Sequence, residues 1–239
     1  MKGCNEHMGL DFFSIAYGMT ETSPLSFQVR QDAPYEKRIK TVGTVHPYIE
    51  AKIADSETGQ TVPIGEEGEI MVRGYSVMLK YWNDAAKTSE TIDEKGWVHT
   101  GDIGIIDEEG YCEIVGRVKD LIIRGGENIM PKEIENYLMT HPDILDVQVI
   151  GVYDEYLGEE VMASIVLEDP NKIISRTEIY EFMHGNIAHF KIPKYIRIVE
   201  EYPLTVTGKV KKNVMRDEVN KILKEVNSDL WEVDHNIYC

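Results

Sequence analysis

Cysteine is scarce in this sequence, and the cysteines that occur are far apart. The 239 residues include only Cys4, Cys112 and Cys239, and no two of them form a Cys-x-x-Cys pair. An odd number of widely spaced thiols indicates neither a disulfide framework nor a zinc site, and favours a reducing compartment. The seven histidines show no spacing typical of metal ligands. Only His99, which precedes a Thr-Gly-Asp turn, is a candidate for a local role.

Basic residues and long apolar runs are also in short supply. Lysine and arginine number 25 against 42 acidic residues, a net charge of −17, which argues against a nucleic-acid surface or an anionic membrane face. No run approaches the roughly 18 apolar residues of a membrane span, and residues 1–10 lack the apolar core of a secretory signal. We expect an intracellular protein, mitochondrial or cytoplasmic, without a transmembrane segment. An address on a longer precursor stays open.

The first half of the chain indicates a mostly β unit. Between Val42 and Val115, short apolar stretches alternate with glycines, and residues 69–72 and 111–115 have the composition of strands. DEEG at 107–110 predicts a hairpin turn between two strands. The acid-rich spots at 66–69 and 107–109 are most simply solvated turns.

After Arg117 helix and strand patterns alternate, which predicts a compact α+β domain. Three helices are predicted. The first begins at Pro131, the second spans Arg176 to Phe190 with an apolar face for core packing, and the last is an amphipathic helix whose apolar face reaches Val226. The predicted strands lie at 147–152, 161–167 and 195–199. The charged junction GRVKD at 116–120 is the predicted boundary. The domains are therefore 1–118, 119–226 and a tail, 227–239.

The sequence HTGD at 99–102 places a carboxylate after a Thr-Gly turn at a predicted strand boundary. A short carboxylate held there can accept two hydrogen bonds from a vicinal diol such as a ribose. The predicted hairpin returns the chain at Arg117, so Asp102 and Arg117 are expected to face one site. An ordinary turn with a structural ion pair is the alternative.

Two further segments combine glycine with charged residues. In LIIRGGENIMPKEIE, Gly125 and Gly126 permit a close approach by another molecule, although a tight strand-to-helix turn needs only one of them. In PLTVTGKVKK, Lys209 follows a Thr-Gly turn and suits a developing negative charge on a phosphate or carboxylate. A solvated lysine is the alternative for Lys209, and the neighbouring Lys211 and Lys212 favour it.

Taken together, the order and spacing of YGMTE, HTGD, GRVKD, GGENIMPKEIE and PLTVTGK resemble the ANL superfamily of adenylate-forming enzymes. The resemblance runs from about residue 5 to about residue 226. Within the superfamily, YGMTETSPLSFQ and FKIPKYIRIVEEYPLTVTGKVKK are most similar to medium-chain-type fatty acyl-CoA synthetases. The implied fold is α/β and α+β: the end of a large adenylate-forming domain, mostly β, followed by a small mobile α+β lid.

The resemblance implies roles for the YGMTE segment and the nucleotide pair. Tyr17 and Gly18 would lie at the nucleotide, with Gly18 letting the backbone pass close to it. Thr20 would bind the ATP phosphate and Glu21 the magnesium ion. Asp102 would hold the ribose hydroxyls, and Arg117 would also contact the nucleotide.

The resemblance also implies roles in the second domain. Lys119 would be the hinge, Lys209 would contact the carboxylate and the α-phosphate, and Gly125 and Gly126 would line the path of coenzyme A. The implied substrates are a fatty acid, ATP and coenzyme A, with Mg²⁺. The two half-reactions would give acyl-adenylate with pyrophosphate, and then the thioester with AMP.

One family feature has no counterpart in the sequence. Upstream of YGMTE the family carries a Ser/Thr/Gly-rich loop ending in Pro-Lys that cradles the β- and γ-phosphates. We therefore expect this polypeptide to be the carboxyl-terminal part of a longer enzyme, and to be inactive or nearly so alone. Two alternatives stay open: an adenylating enzyme with another acceptor, such as a carrier phosphopantetheine or oxygen, and a noncatalytic nucleotide-binding module.

Overall fold

The computed structural model describes residues 12–56, 58–225 and 237–238. The chain divides into two compact units between Val118 and Lys119. No helix in the described part of the chain is both long enough and apolar enough to cross a membrane. The predicted α/β and α+β class is confirmed, since the first unit is mostly β and the second alternates helices with strands.

The first unit is built of short strands and two short helices. Its described elements are β1 (Ala16–Tyr17), β2 (Phe27–Gln28), α1 (Tyr35–Lys40), β3 (Thr44–Val45), β4 (Ile49–Ala54), β5 (Gly68–Gly74), α2 (Ala85–Thr91), β6 (Val98–Ile106) and β7 (Cys112–Arg117). Strands β1 to β3 form one antiparallel sheet, and β4 to β7 form a second in sequence order.

The two sheets of the first unit share an apolar core. Phe27 of the first sheet is fully buried with Ile70 and Val72 of the second. Backbone hydrogen bonds join the sheets where Gly43 and Cys112 meet, since the Cys112 N–H donates to the Gly43 carbonyl over 2.9 Å. The predicted DEEG turn is confirmed between β6 and β7, and the Gly110 N–H donates to the Asp107 carbonyl over 3.0 Å.

The second unit contains a longer sheet. Its described elements are β8 (Ile122–Arg124), β9 (Glu127–Ile129), α3 (Pro131–Leu138), β10 (Ile144–Asp154), β11 (Gly158–Leu167), α4 (Arg176–Met183), β12 (Tyr195–Ile198), α5 (Lys212–Glu225) and β13 (Ile237–Tyr238). Strand β11 pairs antiparallel with β10 and parallel with β12. It also meets the β8–β9 hairpin at Gly158 and Arg124.

Helices cover both faces of this sheet because its strands alternate apolar side chains between the faces. Val147 and Val149 of β10 pack into a cluster with Ile134 of α3 and Ile179 of α4. The intervening Ile150 and its neighbours pack into a second cluster with Met215 and Val219 of α5. The second unit is therefore a three-layer structure with a core on each side of the sheet.

The predicted helix from Arg176 to Phe190 is too long. Helix α4 ends at Met183, and the next residue, His184, leaves the helical region with ψ 132°. Ile187 and Phe190 still pack against the core, but from the turn that follows α4. The core-packing interpretation of this segment is confirmed, while the helical period was extended seven residues too far. Val226, predicted on the face of the last helix, lies outside the described residues.

The HTGD segment does not lie at a strand boundary. Strand β6 runs through it, and the pairing with β5 shifts between the pairs Met71–His99 and Glu69–Ile103. Ile70 therefore faces three residues of β6, which form a β-bulge. The prediction placed a turn here because a bulge and a turn both use glycine next to small polar residues.

Candidate functional site

The YGMTETSP segment forms the loop that joins β1 to β2. Residues Thr20–Thr22 form one turn of 3-10 helix, and Thr22 is fully buried with its hydroxyl bonded to the backbone of Met19. Thr20 is exposed and Glu21 is half-buried. The loop thus hides one of its polar side chains and presents the two that the resemblance assigns to phosphate and magnesium.

Gly18 is required by the loop itself. A Cβ atom at this position would lie 1.8 Å from the Pro24 carbonyl oxygen. The resemblance implied that this glycine allows the nucleotide to approach the backbone closely. The structure supplies a different reason, because the segment 18–24 folds back on its own backbone.

Asp102 is the centre of a cluster of three side chains from separate parts of the first unit. The Tyr17 hydroxyl donates to Asp102 Oδ2 over 2.7 Å, and Arg117 Nε lies 2.8 Å from Asp102 Oδ1. Asp102 and Arg117 are directly opposite each other in the β6–β7 ladder. The Asp102 side chain is 10% exposed and the Arg117 side chain 50%. The structure thus brings together three of the residues predicted at the nucleotide.

Two tyrosines hold the candidate acidic residues from the protein side. Burial, with the Asp102 charge as a second cause, raises the pKa of Tyr17 far above its usual range. The Tyr81 hydroxyl donates to Glu21 Oε1 over 2.6 Å, and this bond raises the pKa of Tyr81. Both phenols therefore remain protonated donors at neutral pH. Tyr81 was not found from the sequence, because 60 residues separate it from Glu21.

Glu69 was interpreted as part of a solvated turn, and this is wrong. Glu69 is 5% exposed. Its Oε2 lies 2.8 Å from His99 Nδ1, and its Oε1 accepts the Gly101 N–H over 2.9 Å. Glu69 lies on the face of β5 opposite the core residues Ile70 and Val72, where its side chain contacts the bulge next to Asp102. His99, the histidine beside this segment, is thus held in a contact with Glu69.

Gly125 and Gly126 form the two-residue loop of the β8–β9 hairpin, with φ of 59° and 90°. Positive φ at both central positions is typical of a type I′ turn, which glycine adopts without strain. The interpretation as a strand-to-helix turn that needs one glycine is therefore wrong. The hairpin loop uses both, and helix α3 begins only after β9.

Lys209 lies near the tip of a second hairpin, between β12 and α5. The Thr205 N–H donates to the Lys209 carbonyl over 2.7 Å, and the Lys209 N–H donates to Thr205 Oγ1 over 3.0 Å. The Lys209 side chain is exposed. Lys119 is exposed as well and lies in a single 3-10 turn, Val118–Asp120. Both lysines are therefore accessible to solvent.

One group of possible metal ligands, among the described residues, was not anticipated. Ligand atoms of His141, Asp143 and Glu178 lie within 4.8 Å of one another. Lys172 already supplies the countercharge, since its Nζ lies 2.6 Å from Asp143 Oδ2 and this bond raises the pKa of Lys172. The group is accounted for as an ion-pair cluster at the start of α4.

Two family descriptions match this chain. The AMP-binding enzyme family matches residues 1–82, and the AMP-binding enzyme C-terminal domain matches residues 133–209. The matched regions contain Tyr17 to Glu21 in the first unit and the Gly208–Lys209 turn in the second. Asp102, Arg117, Gly125 and Gly126 lie between the two matches.

Curated relatives extend the similarity over most of the chain. A medium-chain acyl-CoA ligase of Danio rerio, named ACSF2 and mitochondrial, is 50% identical over 216 residues, which are 90% of this chain and 36% of the relative. The putative acyl-CoA synthetase YngI of Bacillus subtilis is 45% identical over 218 residues, 91% of this chain and 40% of the relative. The chain therefore spans well under half of these relatives.

A solved structure shows the same fold. The ATP-bound MatB protein of Rhodopseudomonas palustris superposes with a TM-score of 0.81 at 38% identity, over 87% of this chain and 41% of that one. Because the matched 87% of this chain is more than either unit alone, the match includes residues of both units. Sequence and structure thus point to the same family.

Proposed function

Because this chain belongs to the family of AMP-binding enzymes, we propose that it supplies part of an ATP-dependent acyl-CoA ligase. In the first half-reaction a fatty-acid carboxylate oxygen attacks the α-phosphorus of ATP, and the bond to pyrophosphate breaks. In the second, the thiol of coenzyme A loses its proton and its sulfur attacks the acyl carbon, and the bond to AMP breaks. The relatives named as medium-chain ligases support a medium-chain fatty acid as substrate.

The observation that carries this proposal is the buried Asp102 with its two fixed partners. A carboxylate has about four acceptor positions; the hydrogen bond from Tyr17 occupies one on Oδ2, and the ion pair with Arg117 engages Oδ1. The remaining positions can accept ribose hydroxyls without disturbing either partner. The exposed half of the Arg117 side chain leaves its guanidinium accessible to the nucleotide.

The residues present also fit the magnesium ion that ATP chemistry requires. Mg²⁺ prefers carboxylate oxygens and usually takes one or two of them together with substrate phosphates. Glu21 offers such a carboxylate on a half-buried loop, with Tyr81 fixing its Oε1. Glu21 would hold the ion and Thr20 would donate to a phosphate oxygen. When bound, the ion would supply charge neutralisation at the phosphates.

Lys209 is proposed to act in the first half-reaction. Negative charge develops at the α-phosphate during carboxylate attack, and an ammonium group is most effective where that charge appears. We assign residues 1–118 to the large AMP-binding domain and 119–226 to the C-terminal domain, with Lys119 as the hinge between them. The Gly125–Gly126 loop, which presents no side chains, is proposed to border the path of coenzyme A.

Acid-dependent exchange of pyrophosphate into ATP tests the proposal. It is measured with octanoate on the 239-residue chain and on a hybrid in which this chain replaces the matching segment of the Danio rerio relative. We expect exchange by the hybrid and little or none by the chain alone, which has no phosphate loop in its sequence. A folded hybrid without exchange would overturn the function, and equal exchange by the chain alone would overturn the requirement for the loop.

Lys209→Ala in the hybrid separates the half-reactions. Loss of one charge-stabilising donor is expected to slow exchange by about 100-fold or more. Thioester formation from supplied octanoyl-adenylate should change much less. Lys211→Ala, at an exposed lysine two residues away, is the matched control. Equal losses in both half-reactions would show that Lys209 does not act on the α-phosphate.

The compartment is proposed as mitochondrial or cytoplasmic. The support is the name of the Danio rerio relative, which places that protein in mitochondria. Fractionation of cells that produce the native protein, followed by immunoblotting, distinguishes the two compartments.

A further inference from the structure

We propose that Glu69 is a positioning residue for nucleotide binding, because it holds the backbone that presents Asp102 to the ribose. This inference rests on the ribose-binding role proposed for Asp102. Glu69 itself does not contact Asp102. It holds Gly101, the residue before Asp102, and is itself held by His99.

The bulge in β6 lies where Asp102 is presented. Thr100, Gly101 and Asp102 lie opposite the single residue Ile70 of β5, so the regular pairing of β5 with β6 is interrupted at Asp102. Gly101 has φ 69°, which L side chains rarely adopt. The direction of the Asp102 side chain therefore depends on what fixes the bulge.

Side-chain hydrogen bonds fix the bulge in β6. Glu69 Oε1 accepts the Gly101 N–H over 2.9 Å, and Thr100 Oγ1 accepts the Asp102 N–H over 3.1 Å. The Thr100 hydroxyl donates in turn to the Ile70 carbonyl over 2.7 Å. Two consecutive N–H groups of the bulge thus find acceptors on side chains.

The Glu69 carboxylate is itself held in place by His99. Its second oxygen lies 2.8 Å from His99 Nδ1, and its side chain is 6% exposed. Water has little access to this carboxylate, so no solvent molecule easily replaces it as the acceptor for Gly101. An apolar side chain here would leave the partly buried Gly101 N–H group without this acceptor, which costs free energy.

The geometry joins this cluster to the nucleotide residues through one residue. Gly101 is bonded to Glu69, and the adjacent Asp102 is bonded to Tyr17 and Arg117. If the bulge shifts, Asp102 must either move with it or lose one of these partners. Glu69 therefore governs the orientation of the carboxylate and not only the stability of the sheet.

The test is the preference for ATP over 2′-deoxy-ATP, measured as the ratio of kcat/KM values in the Danio rerio hybrid. Asp102→Asn should lower this ratio, since the ribose hydroxyls lose their charged acceptor. Glu69→Ala should lower it about five- to tenfold, in keeping with one displaced hydrogen bond. Glu69→Gln keeps an oxygen for the Gly101 N–H and should restore most of the ratio. Glu67→Gln, at an exposed neighbour, should leave it unchanged.

The outcomes separate the two proposals. If Asp102→Asn leaves the ratio unchanged, the ribose role of Asp102 is wrong. If Asp102→Asn lowers the ratio and Glu69→Ala does not, only the role of Glu69 is wrong. A purely structural Glu69 would reduce the yield or melting temperature of the hybrid without changing this ratio. If Glu69→Ala does not fold, Glu69→Asp takes its place, because its shorter side chain moves the carboxylate away from the Gly101 N–H. The inference then stands only if Glu69→Asp lowers the ratio.

A second measurement uses the 239-residue chain and needs no activity. Amide hydrogen exchange of Gly101 should be slow in the native chain and fast in Glu69→Gly or Glu69→Ala. Exchange of Ile103, which pairs with Glu69 just beyond the bulge, should remain slow in both. Continued protection of Gly101 without the carboxylate would overturn the geometric basis of the inference.

Discussion

Lys212 shows how much one buried ion pair determines at the residue scale. Its Nζ donates to Glu135 Oε1 over 2.6 Å and to the Val149 carbonyl over 3.1 Å. The same Glu135 oxygen accepts the Val149 N–H over 3.0 Å. Lys212 therefore does not belong to a run of solvated lysines and gives no support to the solvated alternative for Lys209. Lys212 joins the start of α5 to α3 and β10.

We expect Lys212→Met to destabilise the chain by about 3 kcal/mol, because it removes the cation bonded to the buried Glu135 carboxylate and leaves it with the more distant Lys132, whose Nζ lies 3.8 Å from Glu135 Oε2. Urea unfolding followed by circular dichroism measures the change. Lys211→Met is the control, since the Lys211 side chain is exposed and the expected change is within about 0.5 kcal/mol. Similar losses in both variants would contradict the importance of the pair.

At the scale of single elements, the β8–β9 hairpin depends on its two glycines. Gly126 has φ 90°, and a Cβ added there would meet no atom within 4 Å, while a Cβ on Gly125 would lie 3.2 Å from Leu157 Cδ2. Space therefore restricts Gly125, and backbone conformation restricts both. The hairpin that we propose to border the coenzyme A path is held in shape by its own backbone.

Gly126→Ala should destabilise the chain by about 1 kcal/mol, the usual cost of a left-handed conformation for an L-residue. Gly126→Asn should cost less, because asparagine tolerates this region better than alanine. Thermal unfolding of the two variants in parallel gives the comparison. An alanine variant as stable as the native chain would argue that the turn relaxes to another type.

At the scale of the whole molecule, the chain consists of two units with separate cores. The two apolar clusters of the second unit draw only on residues after Lys119. The cluster around Phe27 and Ile70 draws only on residues before it. Each unit therefore buries an apolar core of its own.

Residues 119–239, expressed alone, should fold cooperatively, because a domain of about 100 residues with its own core is large enough to be stable. Its amide nuclear magnetic resonance spectrum should overlay that of the same residues in the full chain, except near the new terminus. A spectrum with the narrow dispersion of an unfolded chain would contradict the independence of the second unit.

The sequence determined strands β5, β7, β10, β11 and β12, the three helices of the second unit and the family, but not helices α1 and α2 or strand β9. Short, nearly continuous apolar runs around Val149 and Val161 were sufficient, because a strand covered on both faces buries side chains on each of them. Motif residues such as Glu21, Asp102 and Lys209 could be named because each lies in a short motif that is visible in the sequence itself. What each does in catalysis stays a proposal for the experiments above.

Only the tertiary structure decided which side chains meet. Tyr81 reaches Glu21 and Lys212 reaches Glu135 across 60 and 77 residues, and no local pattern carries such a pairing. Glu69 looked like one more acidic residue of a turn until the register of β5 against β6 turned it toward Gly101. The physical reason is that composition sets what a side chain can do, whereas burial and strand register set which partner it has.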